Sequence, residues 1–165
     1  MKKAAVLMGS DSDWNVMSKA VTVLKQFDVP VEVHVYSAHR TPEEVSSFAE
    51  SAKENGFGVI IAGAGMSAAL AGVIAAHTLV PVIGVPLKSA ALDGMDALLS
   101  TVMMPPGIPV ATSPIDGAKN AAYLALEILA NEDDDLYEKL KTDRASMREA
   151  VLKKDLAVSE KAKEL

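Results

Sequence analysis

Short apolar runs alternate along the chain with longer amphipathic segments. The apolar runs lie at residues 4–8, 31–36, 59–62, 82–85 and 109–111. Between them, apolar residues recur at intervals of three and four, which is the spacing of one face of a helix. Strand-length apolar runs separated by helices are typical of α/β proteins with a parallel sheet. The pattern therefore predicts five parallel strands with helices on both faces.

The segments between and after these runs predict the helices of the domain. They cover residues 14–27, 42–55, 67–78, 93–102 and 117–130. The second helix has the clearest start, because Thr41 suits a cap position, Pro42 suits the first turn, and the two glutamates that follow favour the positive end of the helix dipole. By analogy with other doubly wound sheets, we expect a single flavodoxin-like three-layer α/β domain.

The composition changes after Asn131. Residues 132–165 are highly charged and contain neither glycine nor proline, and their apolar residues recur at roughly helical intervals. We interpret this segment as a surface helix that packs on the domain or on another subunit. Residues 1–165 are thus expected to form one domain, with a core at residues 1–130 and a helical extension at residues 131–165.

Composition and charge exclude several classes of function. The formal net charge of −6 argues against nucleic acid or an anionic membrane as the main partner. This charge does not exclude a small anionic ligand, because helix N-termini and a single arginine can create a local positive site. The apolar run after Met1 is too short for a signal peptide, and no run approaches the length of a membrane span. We expect a cytoplasmic protein.

Cysteine and histidine usage restricts the chemistry further. The chain has no cysteine, so disulfides, thiol catalysis and thiolate metal sites are excluded. Its three histidines, His34, His39 and His77, are too isolated for metal-ligand spacing. We predict no metal. His34 lies within a strand and His77 near a helix end, where ordinary structural roles suffice.

The loops that follow the strands contain the candidate binding and catalytic residues, and in a parallel sheet these loops meet at one edge. In the first loop, Ser10, Ser12 and Asp13 offer hydroxyls and backbone N–H groups suited to a phosphate, and a carboxylate suited to ribose hydroxyls. Helix capping alone would also explain them. In the second loop, His39 can exchange protons near neutral pH, and Arg40 can bind a phosphate or a carboxylate.

The third loop contains two glycines and nearly matches the dinucleotide-binding fingerprint. It follows the third strand instead of the first, and the ribose-binding acid is missing after the next strand. Close approach of the backbone to a flat ring explains the glycines better than bound NAD.

Six motifs carry a family resemblance. They are GSDSDW at residues 9–14, SAHRTP at 37–42, IAGAG at 61–65, PVIGVP at 81–86, MPPGIPVAT at 104–112 and KNAAYLA at 119–125. In this order they resemble the N5-carboxyaminoimidazole ribonucleotide mutase family of purine biosynthesis. The resemblance implies a flavodoxin-like subunit of a homo-octamer that uses no metal or organic cofactor. It also implies a reaction in which a carbamate loses CO2 and C4 of the aminoimidazole recaptures it, giving the 4-carboxy isomer.

The resemblance also implies roles for residues of this chain that match the motifs. His39 would handle the proton as general acid and base, Ser10 and Arg40 would bind the phosphate, and Asp13 would bind the ribose. The further residues that it places along the pocket are Ser12, Ser37, Gly63, Ala64 and Gly65.

Departures from the mutase pattern leave an alternative open. Many bacterial mutases carry a histidine and a proline where this chain has Ala69 and Ala71. The pattern G-x-S-x-A-L-x-G at residues 65–72 is similar instead to carboxylases that make the same product from aminoimidazole ribonucleotide and dissolved CO2. Trp14 and Arg40 match the mutases, which we favour.

Two other interpretations are weaker. A related domain that carboxylates a nicotinate mononucleotide shares the glycine-rich loop but lacks the full SAHRTP motif. A non-catalytic flavodoxin-like ligand-binding module of the receiver type would need an aspartate at the end of the third strand, where this chain has Gly63.

Overall fold

A parallel sheet of five strands forms the centre of the fold in the computed structural model, which describes residues 1–164. The strands are β1 (Lys3–Met8), β2 (Val31–Val35), β3 (Phe57–Gly65), β4 (Val82–Leu87) and β5 (Ala111–Thr112). Their order in the sheet is β2-β1-β3-β4-β5, and every neighbouring pair is parallel. The flavodoxin-like arrangement expected from the sequence is confirmed.

Six α-helices surround the sheet within the described residues. They are α1 (Trp14–Gln26), α2 (Pro42–Ser51), α3 (Leu70–His77), α4 (Met95–Val102), α5 (Ala118–Ala130) and α6 (Asp134–Ala162). Because successive side chains of a strand point to opposite faces, β1 contributes to two separate cores. Val6 packs with α1 and α5, whereas Leu7 packs with α2 and α3. Both faces of the sheet are therefore buried, which explains why its strands read as continuous apolar runs.

Three strands differ from their predictions by two or more residues at one or both ends. β4 continues to Leu87 instead of ending at residue 85. β3 continues to Gly65, so the glycines predicted to lie in a loop belong to the end of a strand. This central strand pairs with β1 on one side and β4 on the other, and Gly65 is still in register with Leu87. β5 is shorter and begins at Ala111 instead of Pro109. It pairs only with β4, and proline has no N–H to donate to a sheet ladder.

The C-terminal helix α6 is anchored at its start. The Asp133 carboxylate accepts a hydrogen bond from the backbone N–H of Leu136 at 3.0 Å, and the Leu136 side chain is fully buried. Farther along, Asp143 accepts a hydrogen bond from the Tyr123 hydroxyl of α5 at 3.1 Å. The second half is exposed, with Val151 62% and Leu156 65% accessible. The predicted helix is present and its first half packs on the domain; the last residue of the predicted extension, Leu165, lies outside the described residues.

No helix among residues 1–164 has both the length and the apolar character that a membrane crossing requires.

Candidate active site

A cleft of about 600 Å³ opens where the carboxyl ends of four parallel strands meet. Residues from segments 9–13, 37–40, 64–70 and 87–89 line it, and these segments lie at or just after the ends of β1, β2, β3 and β4. We call it the carboxyl-edge cleft. It contains all the predicted site residues except Gly63.

The loop after β1 is held by a capping box at the start of a single 3-10 turn. The Ser10 hydroxyl oxygen accepts a hydrogen bond from the Ser12 backbone N–H at 3.4 Å, and the Asp13 carboxylate accepts one from the Ser10 backbone N–H at 3.1 Å. The Ser12 hydroxyl donates to the Ser10 hydroxyl at 2.9 Å. Both serine hydroxyls and the carboxylate are thereby fixed along the cleft, so capping and ligand binding are compatible.

Burial is the main influence on the Asp13 carboxyl group. It raises the pKa of Asp13 above the usual value, because the charged form is poorly hydrated there. The hydrogen bond from the Ser10 N–H opposes this effect, and the negative charge of Asp11 adds to it. A carboxylate that has partly lost its hydration gains from new donors, such as the hydroxyls of a sugar.

The loop after β2 is a compact turn that presents His39 and Arg40. The Thr41 hydroxyl oxygen accepts a hydrogen bond from the Ser37 N–H at 2.8 Å, and the Arg40 N–H donates to the Ser37 hydroxyl at 3.2 Å. The Arg40 guanidinium donates to the Gly9 carbonyl at 3.1 Å and so joins the two loops. The His39 ring is exposed and makes no hydrogen bond with residues 1–164. It is therefore available to a ligand.

The end of β3 forms the floor of the cleft, and one of the three residues predicted to line the pocket there lies behind it. Ala64 and Gly65 line the cleft, but Gly63 is buried behind it. A Cβ on Gly63 would lie 2.3 Å from the Met17 sulfur of α1, and the Gly63 carbonyl accepts the Gly9 N–H at 3.1 Å. Packing against α1 therefore suffices to explain this glycine, and a contact of its backbone with a ligand stays a prediction.

Two residues of the cleft that directly follow β4 had no predicted role. Lys88 and Ser89 both line the cleft. The sequence could have indicated them, because this polar pair lies in the segment just after the fourth apolar run and must be at the same edge as the other loops. Met66 and Ser67, after β3, line the cleft as well.

The other two histidines lie outside this cleft. His34 is hydrogen-bonded to the Glu32 carboxylate at 2.9 Å and stacks on Tyr36 with ring centres 4.7 Å apart. His77 contacts the Glu50 carboxylate at 3.2 Å. Within residues 1–164, no three potential metal-binding side chains of histidine, aspartate or glutamate come together.

Comparison with known proteins identifies the family. Residues 3–150 match the protein family described as AIR carboxylase. The chain belongs to the AIR carboxylase family. It is 59% identical over 148 residues to the N5-carboxyaminoimidazole ribonucleotide mutase of Pyrococcus abyssi, covering 90% of this chain and 85% of that protein. It is 54% identical over 152 residues to the mutase of that name from Escherichia coli K12, covering 91% and 90%.

Solved structures of the family agree with the fold. The crystal structure of Treponema denticola PurE superposes with a TM-score of 0.84 at 30% identity, covering 92% of this chain and 95% of that one. The resemblance noted from the six motifs is confirmed. The AIR carboxylase match spans every segment that lines the carboxyl-edge cleft and continues into the first half of α6.

Proposed function

We propose that this AIR carboxylase family member is an isomerase of purine biosynthesis that acts in the cytoplasm. It converts N5-carboxyaminoimidazole ribonucleotide to 4-carboxyaminoimidazole ribonucleotide. The observation that carries the proposal is the convergence of Ser10, Asp13, His39 and Arg40 on one cleft of nucleotide size. The names of relatives at 59% and 54% identity support the choice of reaction.

The geometry supports a definite orientation of the substrate. Ser10 and Arg40 bind the phosphate, since the Arg40 guanidinium donates to the carbonyl of Gly9, the residue before Ser10. Ser12 lines the pocket beside them, and its hydroxyl donates to the Ser10 hydroxyl. Asp13, next along the same loop, accepts hydrogen bonds from the ribose hydroxyls. Ser37 lies on the adjoining turn, and the flat imidazole rests on the small residues Ala64 and Gly65.

His39 carries the proton in the proposed reaction. The bond between the exocyclic nitrogen and the carbamate carbon breaks, CO2 is released, and the nitrogen keeps the electron pair and takes a proton from protonated His39. C4 of the ring then attacks the trapped CO2 and forms the new carbon–carbon bond. His39 removes the C4 proton and returns to its initial state. The net change is that CO2 moves from the nitrogen to C4 and one proton moves from C4 to the nitrogen through His39. Enclosure of the CO2 supplies the effective concentration that recapture needs.

The competing candidate is a carboxylase that takes up dissolved CO2. Ala69 favours it, because this residue lines the cleft where many mutases carry a histidine, and so the cleft has one imidazole fewer. The names of the relatives favour the mutase, since proteins called N5-carboxyaminoimidazole ribonucleotide mutase reach 59% identity to this chain.

Separate substrates distinguish the two enzymes. Purified protein is offered the carbamate, and in a second assay aminoimidazole ribonucleotide with bicarbonate. A mutase converts the carbamate much faster and retains its isotopic carbon in the product. Rapid dilution of that carbon by unlabelled CO2, with poor use of the carbamate, would identify a carboxylase. A non-catalytic binding module would bind the ribonucleotide and leave its absorbance spectrum unchanged.

We further propose that the protein assembles as a homo-octamer. The second half of α6 exposes apolar side chains, among them Val151, Leu156 and Val158 at 62 to 65% accessibility. Burying them against other subunits would remove apolar surface from water and so favour assembly. Light scattering should give a mass about eight times the 17.3 kDa of the chain. A stable, active monomer would contradict the proposal.

A further inference from the structure

We propose that Lys88 is a further substrate-binding residue, whose ammonium group binds the carboxylate of the carboxylated nucleotide at the end of the cleft opposite Arg40. The assignment rests on the proposed function, since it presupposes a ligand with a phosphate at one end and a carboxylate at the other.

The strand order places the two cations at opposite ends of the carboxyl-edge cleft. Arg40 follows β2 and Lys88 follows β4, and the sheet order β2-β1-β3-β4 puts two strands between them. Three strand spacings separate the two loops by roughly 14 Å. Because both side chains are long, they can reach inward and shorten this gap to the length of one nucleotide. The strand ends thus match a molecule that is anionic at both ends.

The charges along the cleft lead to the same conclusion. The charged or titratable side chains that line it are Asp13, His39, Arg40 and Lys88. Asp13 would repel a carboxylate, Arg40 is engaged at the phosphate end, and His39 must be free to exchange protons. Lys88 is the remaining lining residue with a permanent positive charge. A negatively charged substituent on the imidazole ring therefore has one cation to pair with at its end of the cleft.

The backbone of Lys88 is held firmly. Its N–H donates to the Asp116 carboxylate at 2.9 Å. Gly94, which has a φ of +92°, packs so closely that a Cβ there would lie 3.3 Å from the Lys88 Cα. The point from which the side chain extends is therefore fixed relative to β4.

The ammonium group itself is free to change partners. It contacts the Asp93 carboxylate at 2.6 Å, and the two side chains are 56% and 79% exposed. This contact raises the pKa of Lys88, so the group is positively charged at neutral pH. Exposed ion pairs contribute little to stability. When the Lys88 ammonium leaves Asp93 and pairs with a ligand carboxylate, it therefore keeps a charged partner and loses little free energy.

Equilibrium binding of two nucleotides isolates this contact. Titration calorimetry compares 4-carboxyaminoimidazole ribonucleotide with aminoimidazole ribonucleotide, which lacks the carboxylate, on the wild type and on Lys88→Met. The variant should bind the carboxylated nucleotide roughly tenfold more weakly, the loss expected for one hydrogen bond between charged groups. Binding of aminoimidazole ribonucleotide should stay within about twofold. Lys88→Arg, which keeps the charge, should restore most of the lost affinity.

Lys139→Met is the matched control. Lys139 is also an exposed lysine paired with an aspartate, Asp28 at 2.7 Å, but it lies on α6 away from the cleft. This control should leave both affinities unchanged. Equal weakening of both nucleotides by Lys88→Met, or no weakening, would overturn the assignment while leaving the proposed function intact. If the wild type bound neither nucleotide, the proposed function would fail and the assignment with it.

Discussion

Two clefts of similar size open at opposite edges of the sheet. The carboxyl-edge cleft has a volume of about 600 Å³, and the second has about 650 Å³. We call the second the amino-edge cleft. It is lined by residues 75–82, 107–109 and 111, together with Glu50 and Lys53. Each cleft contains one histidine, His39 in the first and His77 in the second.

The clefts differ in the freedom of their polar groups. In the amino-edge cleft, His77 is already paired with the Glu50 carboxylate, and much of the remaining lining is aliphatic or proline. The carboxyl-edge cleft collects polar groups from four strand ends: hydroxyls, a carboxylate and two cations. His39 has no hydrogen-bonding partner there among residues 1–164. Volume therefore does not identify the site. Topology favours the carboxyl-edge cleft as the proposed site, because loops at the carboxyl ends diverge where the strand order reverses, between β1 and β3.

The largest expected effect contrasts the two histidines. His39→Asn should lower kcat by roughly 10²-fold or more, the usual contribution of a general acid–base group. Because the His39 ring is exposed and makes no hydrogen bond with the described residues, the variant should fold normally and still bind the ribonucleotide. Steady-state kinetics with the carbamate substrate measure the loss, and His77→Asn serves as the control. Similar losses in both variants, or none in His39→Asn, would remove the distinction between the clefts.

A smaller effect is expected at the phosphate end of the carboxyl-edge cleft. Arg40→Lys keeps the positive charge but loses the planar fork that binds a phosphate and contacts the Gly9 carbonyl. Affinity for the ribonucleotide should fall roughly tenfold, about 1.4 kcal/mol. Affinity for the dephosphorylated nucleoside should not change. Arg144→Lys, which alters an exposed ion pair with Glu127 on α5, is the control. If nucleotide and nucleoside lost affinity equally, the phosphate would have to bind elsewhere.

The strands, and the polar loops that distinguish the carboxyl-edge cleft from the amino-edge cleft, were predictable from the sequence. Apolar runs located all five strands, and analogy supplied their order. Loop composition then placed Ser10, His39 and Arg40 at one edge, because parallel strands must end together. These inferences succeeded since they depend on local patterns and on a general rule of parallel sheets.

The errors arose where long-range packing decides the structure. Apolar periodicity does not show how far a strand stays paired, so the continuation of β3 to Gly65 between two neighbours was missed. Gly63 was expected to line the pocket because the family resemblance implied it, and its packing against Met17 of α1 cannot be read from local sequence. Lys88 was overlooked because it belongs to no recognised motif, although its place after the fourth strand put it at the same edge as the other loops. The structure adds that β4 lies beside β3.

Replacing Asp13 should affect ligand binding and folding stability differently, and both can be measured. Asp13→Asn should weaken binding of the ribonucleotide roughly five- to tenfold, because hydrogen bonds from ribose hydroxyls to a charged acceptor are lost. The folded protein should not lose stability at neutral pH. Asparagine can still accept the Ser10 N–H, and it removes a carboxylate whose ionisation burial disfavours.

The pH dependence of this stability difference has a definite sign. Because the folded-state pKa of Asp13 is raised, ionisation of its carboxyl group destabilises the fold relative to the unfolded chain. The wild type should therefore match Asp13→Asn below the ordinary pKa of 3.8 and become less stable than the variant as pH rises through the folded-state pKa. Urea unfolding across this range measures the difference. A wild type that gained stability relative to the variant with rising pH would show that the carboxylate stabilises the fold.

The smallest expected effect lies in the amino-edge cleft. The contact between His77 and Glu50 is exposed, with side chains 39% and 64% accessible, and exposed pairs contribute about 0–1 kcal/mol. His77→Asn and Glu50→Gln should each lower the free energy of urea unfolding by less than about 1 kcal/mol and leave kcat and KM unchanged. The double variant should lose no more than the two single variants together, because a weak pair leaves little coupling to remove. If either substitution reduced turnover as His39→Asn is expected to, without changing the mass measured by light scattering, the amino-edge cleft would have to be part of the active site. The contrast drawn from the topology of the sheet would then be wrong.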